Sequence, residues 1–79
     1  MTKLGTIILK TRTKRGMSLQ KVAGEAGITK AHVWGIETGM SRNPTIKTLL
    51  GLGTALRVST IKLAVAALKD LNTREQNDD

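Results

Sequence analysis

Residues 17–45, MSLQKVAGEAGITKAHVWGIETGMSRNPT, contain two short helical patterns separated by a tight turn. The apolar spacing predicts one helix over Leu19–Ala26 and a second over Lys30–Thr38. Gly27 stands between them, where a left-handed backbone lets one helix stop and the next begin at a steep angle. The stretch therefore predicts a helix-turn-helix unit with its core at residues 18–38.

Both helices have suitable capping residues and a small apolar face. Ser18 and Thr29 are good N-caps because their hydroxyl oxygens can accept from backbone N–H groups of the first turn. Ala23 allows the helices to approach closely, and Val33 and Ile36 are expected to be buried on the inner side of the second helix. A rotation of about 100° per residue from that side then defines an outer face. This outer face contains Lys30, Ala31, Trp34, Gly35 and Thr38.

The remainder of the chain predicts three further helices and no strand, so the expected fold class is all-α with five helices. The first is expected over residues 4–15 and the fourth over about residues 46–57. Pro44 is suited to the start of the fourth helix, with Asn43 or Thr45 as its cap.

The length of the chain indicates a single small domain. A chain of 79 residues buries only about 60% of its unfolded surface, so its stability margin is thin and a second subunit would help. Residues 1–71 are expected to form this domain. Residues 72–79 lack large apolar side chains and are expected to form an acidic, frayed tail.

The charge of the chain is basic and unevenly distributed. The formal net charge is +7, and four of the six acidic residues lie at or after position 70. Residues 1–69 therefore carry twelve Lys and Arg against only Glu25 and Glu37. Such an excess attracts polyanions, of which DNA is the usual one. Charge alone fits a solvated basic surface equally well, and the helix-turn-helix pattern favours DNA.

The residue inventory excludes several classes of function. The chain has no Cys and one His, so we expect no metal site and no cofactor. An enzyme would require a cluster of titratable or nucleophilic groups that this composition does not offer, so we expect no enzymatic activity. The longest apolar stretch, residues 63–68, is far shorter than the roughly 20 residues of a membrane span. No signal peptide is visible, and we expect a cytoplasmic protein that associates with the nucleoid by binding DNA.

The chain resembles the phage Cro and C1 repressor type of helix-turn-helix protein, also called the Xre family, from Leu4 to about Leu63. The resemblance implies a lambda-repressor-like fold and a sequence-specific, double-stranded DNA-binding transcription regulator. We expect it to act as a repressor, as a homodimer on a palindromic operator. The matching residues are Leu4-Gly5, Arg12, Gly16-Met17-Ser18, Val22-Ala23, Ala26-Gly27-Ile28-Thr29, Val33, Ile36-Glu37, Gly39, Arg42-Asn43-Pro44-Thr45 and Leu49.

The resemblance also implies which residues read bases. In similar proteins the cap and first two residues of the second helix, here Thr29, Lys30 and Ala31, contact phosphates and base edges. The residue one turn later, here Gly35, also faces the bases. Lys30 is the best candidate for reading guanine, and Ala31 for touching a thymine methyl. The second helix is therefore expected to be the recognition helix.

Other positions are implied to bind phosphate. Arg42 and Asn43 match loop positions that fix the register of the protein on DNA. The start of the first helix of the unit, at Ser18, is expected to approach the backbone as well. This chain has Leu19 where the family often has Gln, and Gln20 is the candidate substitute.

The resemblance further implies a partly buried ion pair between Arg12 and Glu37, which would orient Arg12 toward a phosphate. Trp34 is the one aromatic residue, and we expect its ring to contact deoxyribose, a thymine methyl or a phosphate. The alternative is that Trp34 packs against the domain.

Helix five, which Ser59 or Thr60 would cap, is expected to form the dimer interface. Its apolar band covers more of the circumference than a small core can bury, and a two-fold pairing would place two recognition helices about 34 Å apart. The alternative is that the band folds back on helices one and four. The expected interface residues are Ile61, Ala64, Val65, Leu68 and Leu71.

Three other functions remain open from the sequence. An antitoxin that binds a toxin partner and a restriction-modification controller have the same fold, and the sequence does not separate them from a phage-type repressor. A basic membrane-surface module is a weaker alternative from another class, since paired capped helices indicate a compact domain. Liposome binding without duplex DNA binding would identify that alternative.

Overall fold

The computed structural model describes residues 1–77, with side chains for residues 1–72. Within this part of the chain there are five α-helices and no strand, so the expected all-α, five-helix fold is confirmed. None of these helices is both long enough and apolar enough to cross a membrane. The helices are α1 (Lys3–Lys14), α2 (Leu19–Ala26), α3 (Lys30–Thr38), α4 (Ile46–Leu56) and α5 (Thr60–Asn77).

The helix-turn-helix unit, α2 and α3, has the predicted boundaries. The hydroxyl oxygen of Ser18 accepts from the backbone N–H of Lys21 at 3.0 Å, and that of Thr29 accepts from His32 at 3.0 Å. Gly27 has φ of +76°, the left-handed conformation that ends α2. These local interactions set the turn, and α3 follows α2 after only two further residues.

Of the two predicted caps of α4, Asn43 and Thr45, the structure shows Thr45. Thr45 is the N-cap, and its hydroxyl accepts from the backbone N–H of Thr48 at 3.1 Å. Pro44 therefore lies before the cap and not in the first turn. The helix ends at Arg57, which has φ of +57° although it is not a glycine.

The last helix is longer than predicted. Ser59 lies at its start, where the hydroxyl oxygen accepts from the backbone N–H of Lys62 at 3.4 Å. The helix continues to Asn77, past the predicted end at Leu71. The acidic charge of the predicted tail lies outside the residues whose side chains are described, and Asp78 and Asp79 lie outside the described residues altogether.

A single apolar core joins all five helices. The helices α2 and α4 pack against each other, α1 contacts α3, α4 and α5, and α4 also contacts α5. Two apolar residues of α4, Ile46 and Leu50, are exposed and take no part in this core. The largest fully buried side chains are Ile8, Val22, Val33, Ile36, Leu52, Leu56 and Leu63.

The backbones of α1 and α3 touch directly at Gly5. A Cβ atom at this position would lie 2.5 Å from the carbonyl oxygen of Ile36 and 2.7 Å from that of Glu37, which is far inside van der Waals contact. Only a residue without a side chain fits there. The end of the predicted recognition helix is therefore held against α1 by close packing.

Candidate nucleic-acid interface

The outer face of α3 is open. Lys30, Ala31 and Thr38 are exposed, and Trp34 exposes 49% of its surface, while Gly35 is half-buried. The opposite face is sealed, since Val33 and Ile36 are fully buried. The structure thus brings the five predicted outer-face residues together on one side of a helix whose other side is fixed in the core.

The N-termini of α2 and α3 are exposed and carry the predicted caps. Ser18 and Thr29 use their hydroxyl oxygens for capping, which satisfies one backbone donor in each first turn. Among the described residues, the backbone N–H groups of Lys30 and Ala31 have no acceptor. Such free donors, together with the positive end of the helix dipole, make a helix N-terminus suited to a phosphate. Gln20 is exposed in the first turn of α2.

The loop after α3 is tied to that helix. The backbone N–H of Ser41 donates to the carbonyl oxygen of Gly35 at 3.0 Å. Arg42 donates through Nε to the carbonyl oxygen of Gly39 at 3.1 Å, and both Arg42 and Asn43 are exposed. The two predicted phosphate-binding residues therefore lie beside the end of α3, on a short segment that the helix holds.

Arg12 and Glu37 form a bidentate ion pair. Nε of Arg12 donates to Oε2 of Glu37 at 2.7 Å, and Nη2 donates to Oε1 at 3.2 Å. Nη1 donates to the carbonyl oxygen of Met17 at 2.9 Å. The exposed fractions of the two side chains are 16% and 5%, so the pair is mostly buried. It joins α1, α3 and the segment before α2, and this fork geometry holds the guanidinium in one orientation.

Trp34 lies at the edge of a shallow groove between α1 and α3. The groove is lined by Leu9 and Leu19, both half-buried, and by the exposed Met1. Arg12, Glu37 and Thr38 line the same groove, so the half-exposed indole lies among both apolar and polar side chains. Leu19 also packs against the core, so the leucine that replaces the usual Gln of the family has a structural use here.

The apolar band of α5 divides into two faces. Leu63, Ala66 and Ala67 are buried in the core, and Ala64 is partly buried against it. Ala64, one of the expected interface residues, is therefore less accessible than Ile61, Val65 and Leu68. Leu71 is half-buried. The exposed apolar residues are Ile61, Val65 and Leu68, which expose 75%, 43% and 64% of their surfaces. They follow one another at intervals of about one helical turn and form a line along the helix, called here the α5 stripe.

Asp70 has a role that sequence reasoning missed. Its carboxylate accepts from the backbone N–H groups of Lys3 at 2.7 Å and Leu4 at 3.1 Å. In the sequence Asp70 stands out only as one of the acidic residues near the end of the chain. Nothing in the local pattern shows that the start of α1 will lie beside it.

Within the part of the chain whose side chains are described, no three His, Cys, Asp or Glu residues are grouped so as to hold a metal ion. The titratable side chains of the site are the cations Lys30 and Arg42, together with the Arg12–Glu37 pair. This arrangement supplies hydrogen-bond donors and positive charge to an anionic surface.

The fold and the open face of α3 define a DNA-binding helix-turn-helix protein. A family profile described as helix-turn-helix matches residues 8–63. The chain belongs to the Cro/C1-type helix-turn-helix family of transcription regulators, which confirms the resemblance found in the sequence.

Solved structures and a curated relative agree with this assignment. The chain is 33% identical to SinR, described as the master regulator for biofilm formation and solved in complex with DNA, over 77% of this chain and 97% of that one, with a TM-score of 0.72. It is 31% identical to the restriction-modification controller protein C.AhdI from Aeromonas hydrophila, over 78% and 92%, with a TM-score of 0.72.

Two further matches differ in how much of each protein they cover. The wild-type restriction-modification controller protein C.Esp1396I is 29% identical over 91% of this chain and 92% of that one, with a TM-score of 0.68. The transcriptional regulator SlrR from Bacillus subtilis is 32% identical over 60 residues, which are 76% of this chain and 40% of SlrR. The chain thus spans about two fifths of the length of that curated relative.

Proposed function

We propose that this chain binds double-stranded DNA sequence-specifically as a homodimer on a palindromic operator, and that it represses transcription by blocking polymerase. The observation that carries the proposal is the open outer face of α3 on a helix whose inner face and C-terminal end are fixed. A helix held in this way suits insertion into the major groove, because its exposed side can approach base edges without rearrangement. The site of action would be the nucleoid in the cytoplasm.

Phosphate contacts would dock the domain. The free N–H donors at the start of α3, the caps Thr29 and Ser18, and the loop residues Arg42 and Asn43 all lie at exposed positions around α3. Arg12, oriented by Glu37, retains a 16% exposed side chain that would reach a neighbouring phosphate. These contacts fix the register of the protein on DNA and carry no information about sequence.

Base contacts would come from the outer face itself. The ammonium of Lys30 would donate to O6 and N7 of a guanine, and the methyl group of Ala31 would pack on a thymine methyl. Trp34 would contribute contact with a sugar or a thymine methyl at the edge of the groove. Gly35 and Thr38 continue the same face, and Gly35 adds room for close approach.

The α5 stripe supports the homodimer. Three large apolar side chains on one face of a helix would remain in water in an isolated domain, and a second copy of α5 would cover them. A dimer would also raise the affinity for DNA, since two half-sites one helical turn apart, about 34 Å, would be bound together.

A second candidate is a restriction-modification controller. The match to C.Esp1396I extends over nine tenths of each chain, so it includes α5 as well as the helix-turn-helix unit. That extent supports a regulator of similar length and helix content. A neighbouring restriction endonuclease gene would favour this candidate over a phage-type repressor.

The proposal is tested by selecting bound sites from random duplexes and then measuring two variants. Lys30→Ala should relax the base preference at one position in each half-site and cost about 1–3 kcal/mol on the selected operator. Arg42→Ala should weaken binding to selected and random DNA alike and flatten the salt dependence by about one unit of slope. Equal losses on selected and random DNA for Lys30→Ala would contradict the readout role. An asymmetric selected site would contradict the palindromic dimer.

A further inference from the structure

The N-terminus of α1 is capped by a side chain from another helix. Thr2 satisfies the backbone N–H of Gly5 through its hydroxyl at 2.9 Å and that of Thr6 through its carbonyl at 3.1 Å. The two remaining first-turn donors, those of Lys3 and Leu4, are both taken by Asp70. A carboxylate at this position is favoured by the helix dipole, and hydrogen bonds to a charged acceptor are stronger than neutral ones.

Asp70 lies on the side of α5 opposite the α5 stripe. It follows Ile61 by nine residues, which is two and a half turns of helix, whereas Val65 and Leu68 follow Ile61 by about one and two full turns. The bond from Asp70 to α1 therefore turns the stripe directly outward. Any rotation or slide of α5 against α1 would break this bond and move the stripe.

The apolar contacts of α5 give little resistance to such a slide. Among the α5 residues whose side chains are described, three are buried: Ala66 and Ala67 present only methyl groups, and Leu63 is large. Small side chains make shallow ridges that define register weakly. The start of α5 is placed by its close packing on Gly53 of α4, and the paired, directional hydrogen bonds of Asp70 fix the angle and register of the following turns against α1.

The position of α1 is in turn transmitted to α3 at two points. The backbone of Gly5, next to the capped residues, lies against the last carbonyl groups of α3. Near the other end of α1, Arg12 holds Glu37 of α3 with two hydrogen bonds. A continuous path of close contacts thus runs from the α5 stripe through Asp70 and α1 to the recognition helix.

We propose that Asp70 is a positioning residue that sets the distance and angle between the two recognition helices of the dimer, and hence the spacing of half-sites that the protein accepts. The inference rests on the proposed function, because it requires a dimer formed through the α5 stripe. One base pair of added spacing moves a half-site by about 3.4 Å along the duplex and rotates it, so a rigid dimer discriminates against it. In this role Asp70 acts by holding α5 against α1 and not by contact with DNA or with the second copy.

The test uses the full chain and duplexes that carry the selected half-sites at the preferred spacing and at one base pair more or less. The wild type should prefer one spacing by at least roughly tenfold, and Asp70→Asn should reduce that preference to about threefold or less. Its affinity for a single half-site should equal that of the wild type, and sedimentation should still show a dimer. Glu25→Gln, which removes one negative charge from an exposed position on α2, is the matched control and should keep the wild-type preference.

A dimeric Asp70→Asn protein with the wild-type spacing preference would overturn the inference. If circular dichroism shows that this variant does not fold, Asp70→Ser replaces it, since a serine hydroxyl can still accept one backbone N–H. A folded Asp70→Ser dimer that keeps the preference would overturn the inference equally. Failure of the proposed function is recognised in the wild type alone, as binding to paired half-sites that is no tighter than binding to one.

Discussion

Gly35 occupies the middle of a helix at a position where the domain does not require a glycine. A Cβ atom there would have Ser41 as its nearest neighbour at 3.7 Å, an ordinary van der Waals distance. A glycine within a helix costs roughly 0.5–1 kcal/mol relative to alanine. Packing therefore does not explain this residue, whereas a closely approaching base would.

The substitution Gly35→Ala should separate stability from binding. We expect the free energy of unfolding to rise by roughly 0.5–1 kcal/mol, because alanine favours the helix, while the affinity for the selected operator falls. Urea unfolding and fluorescence anisotropy with a labelled duplex measure the two quantities. Gly24→Ala, on the exposed side of α2 with nothing within 4 Å of its Cβ, is the control and should add stability alone. Unchanged operator affinity in Gly35→Ala would show that residue 35 does not face the bases.

At the scale of helices, the Arg12–Glu37 pair is the polar contact that joins α1 to α3. We expect Glu37→Ala to lower the free energy of unfolding by about 3 kcal/mol, because it leaves a largely buried guanidinium with only the carbonyl of Met17 as a partner. Equilibrium urea unfolding at neutral pH measures the change.

The chain offers a matched control for this prediction. Lys21 and Glu25 form a pair at 3.5 Å within α2, with side chains that are 65% and 45% exposed. Glu25→Ala should cost no more than about 0.5 kcal/mol, since solvent screens an exposed pair. Similar losses in the two variants would mean that burial of the Arg12–Glu37 pair contributes nothing.

The helices that the sequence predicts well are those whose ends are set locally. The boundaries of α2 and α3 follow from hydroxyl caps three residues from their donors and from a glycine in the left-handed conformation. The end of α4 also has a residue in the left-handed conformation, but this residue is Arg57 and not a glycine. This residue type therefore gives no signal in the sequence for the end of α4. The open face of α3 is predictable because the helical repeat places it opposite Val33 and Ile36, the two apolar residues that are buried.

The features that the sequence did not predict depend on distant parts of the chain. Asp70 and Lys3 are separated by 67 positions, so no local pattern relates them. The exposure of Ile46 and Leu50 also could not be predicted locally. The spacing of apolar residues shows that a helix has an apolar face, but it does not show how much of that face the rest of the chain covers. The same limit applies to Ala64, which was expected at the dimer interface and is partly buried against the core.

At the scale of the whole molecule, the α5 stripe predicts the state of association. Leu68→Lys should convert the protein to a monomer with little change in stability, because Leu68 already exposes 64% of its surface in the single chain. Sedimentation velocity at micromolar concentration without DNA measures the state of association. Leu50→Lys places the same charge on an exposed leucine of α4 and should leave the dimer intact.

Two results would contradict this prediction. If the wild-type chain sediments as a monomer, the protein does not form a dimer in the absence of DNA. Dissociation by Leu50→Lys, with Leu68→Lys still dimeric, would place the interface on α4.

Trp34 gives this molecule a built-in optical reporter. The chain has one tryptophan and no tyrosine or phenylalanine, so its ultraviolet emission comes from a single indole on the outer face of α3. That indole is half exposed and lines the same groove as Leu9 and Leu19, an environment that a docked sugar or base would change. Titration with unlabelled duplex should therefore shift or quench the emission, and the whole binding isotherm becomes measurable on the unmodified protein.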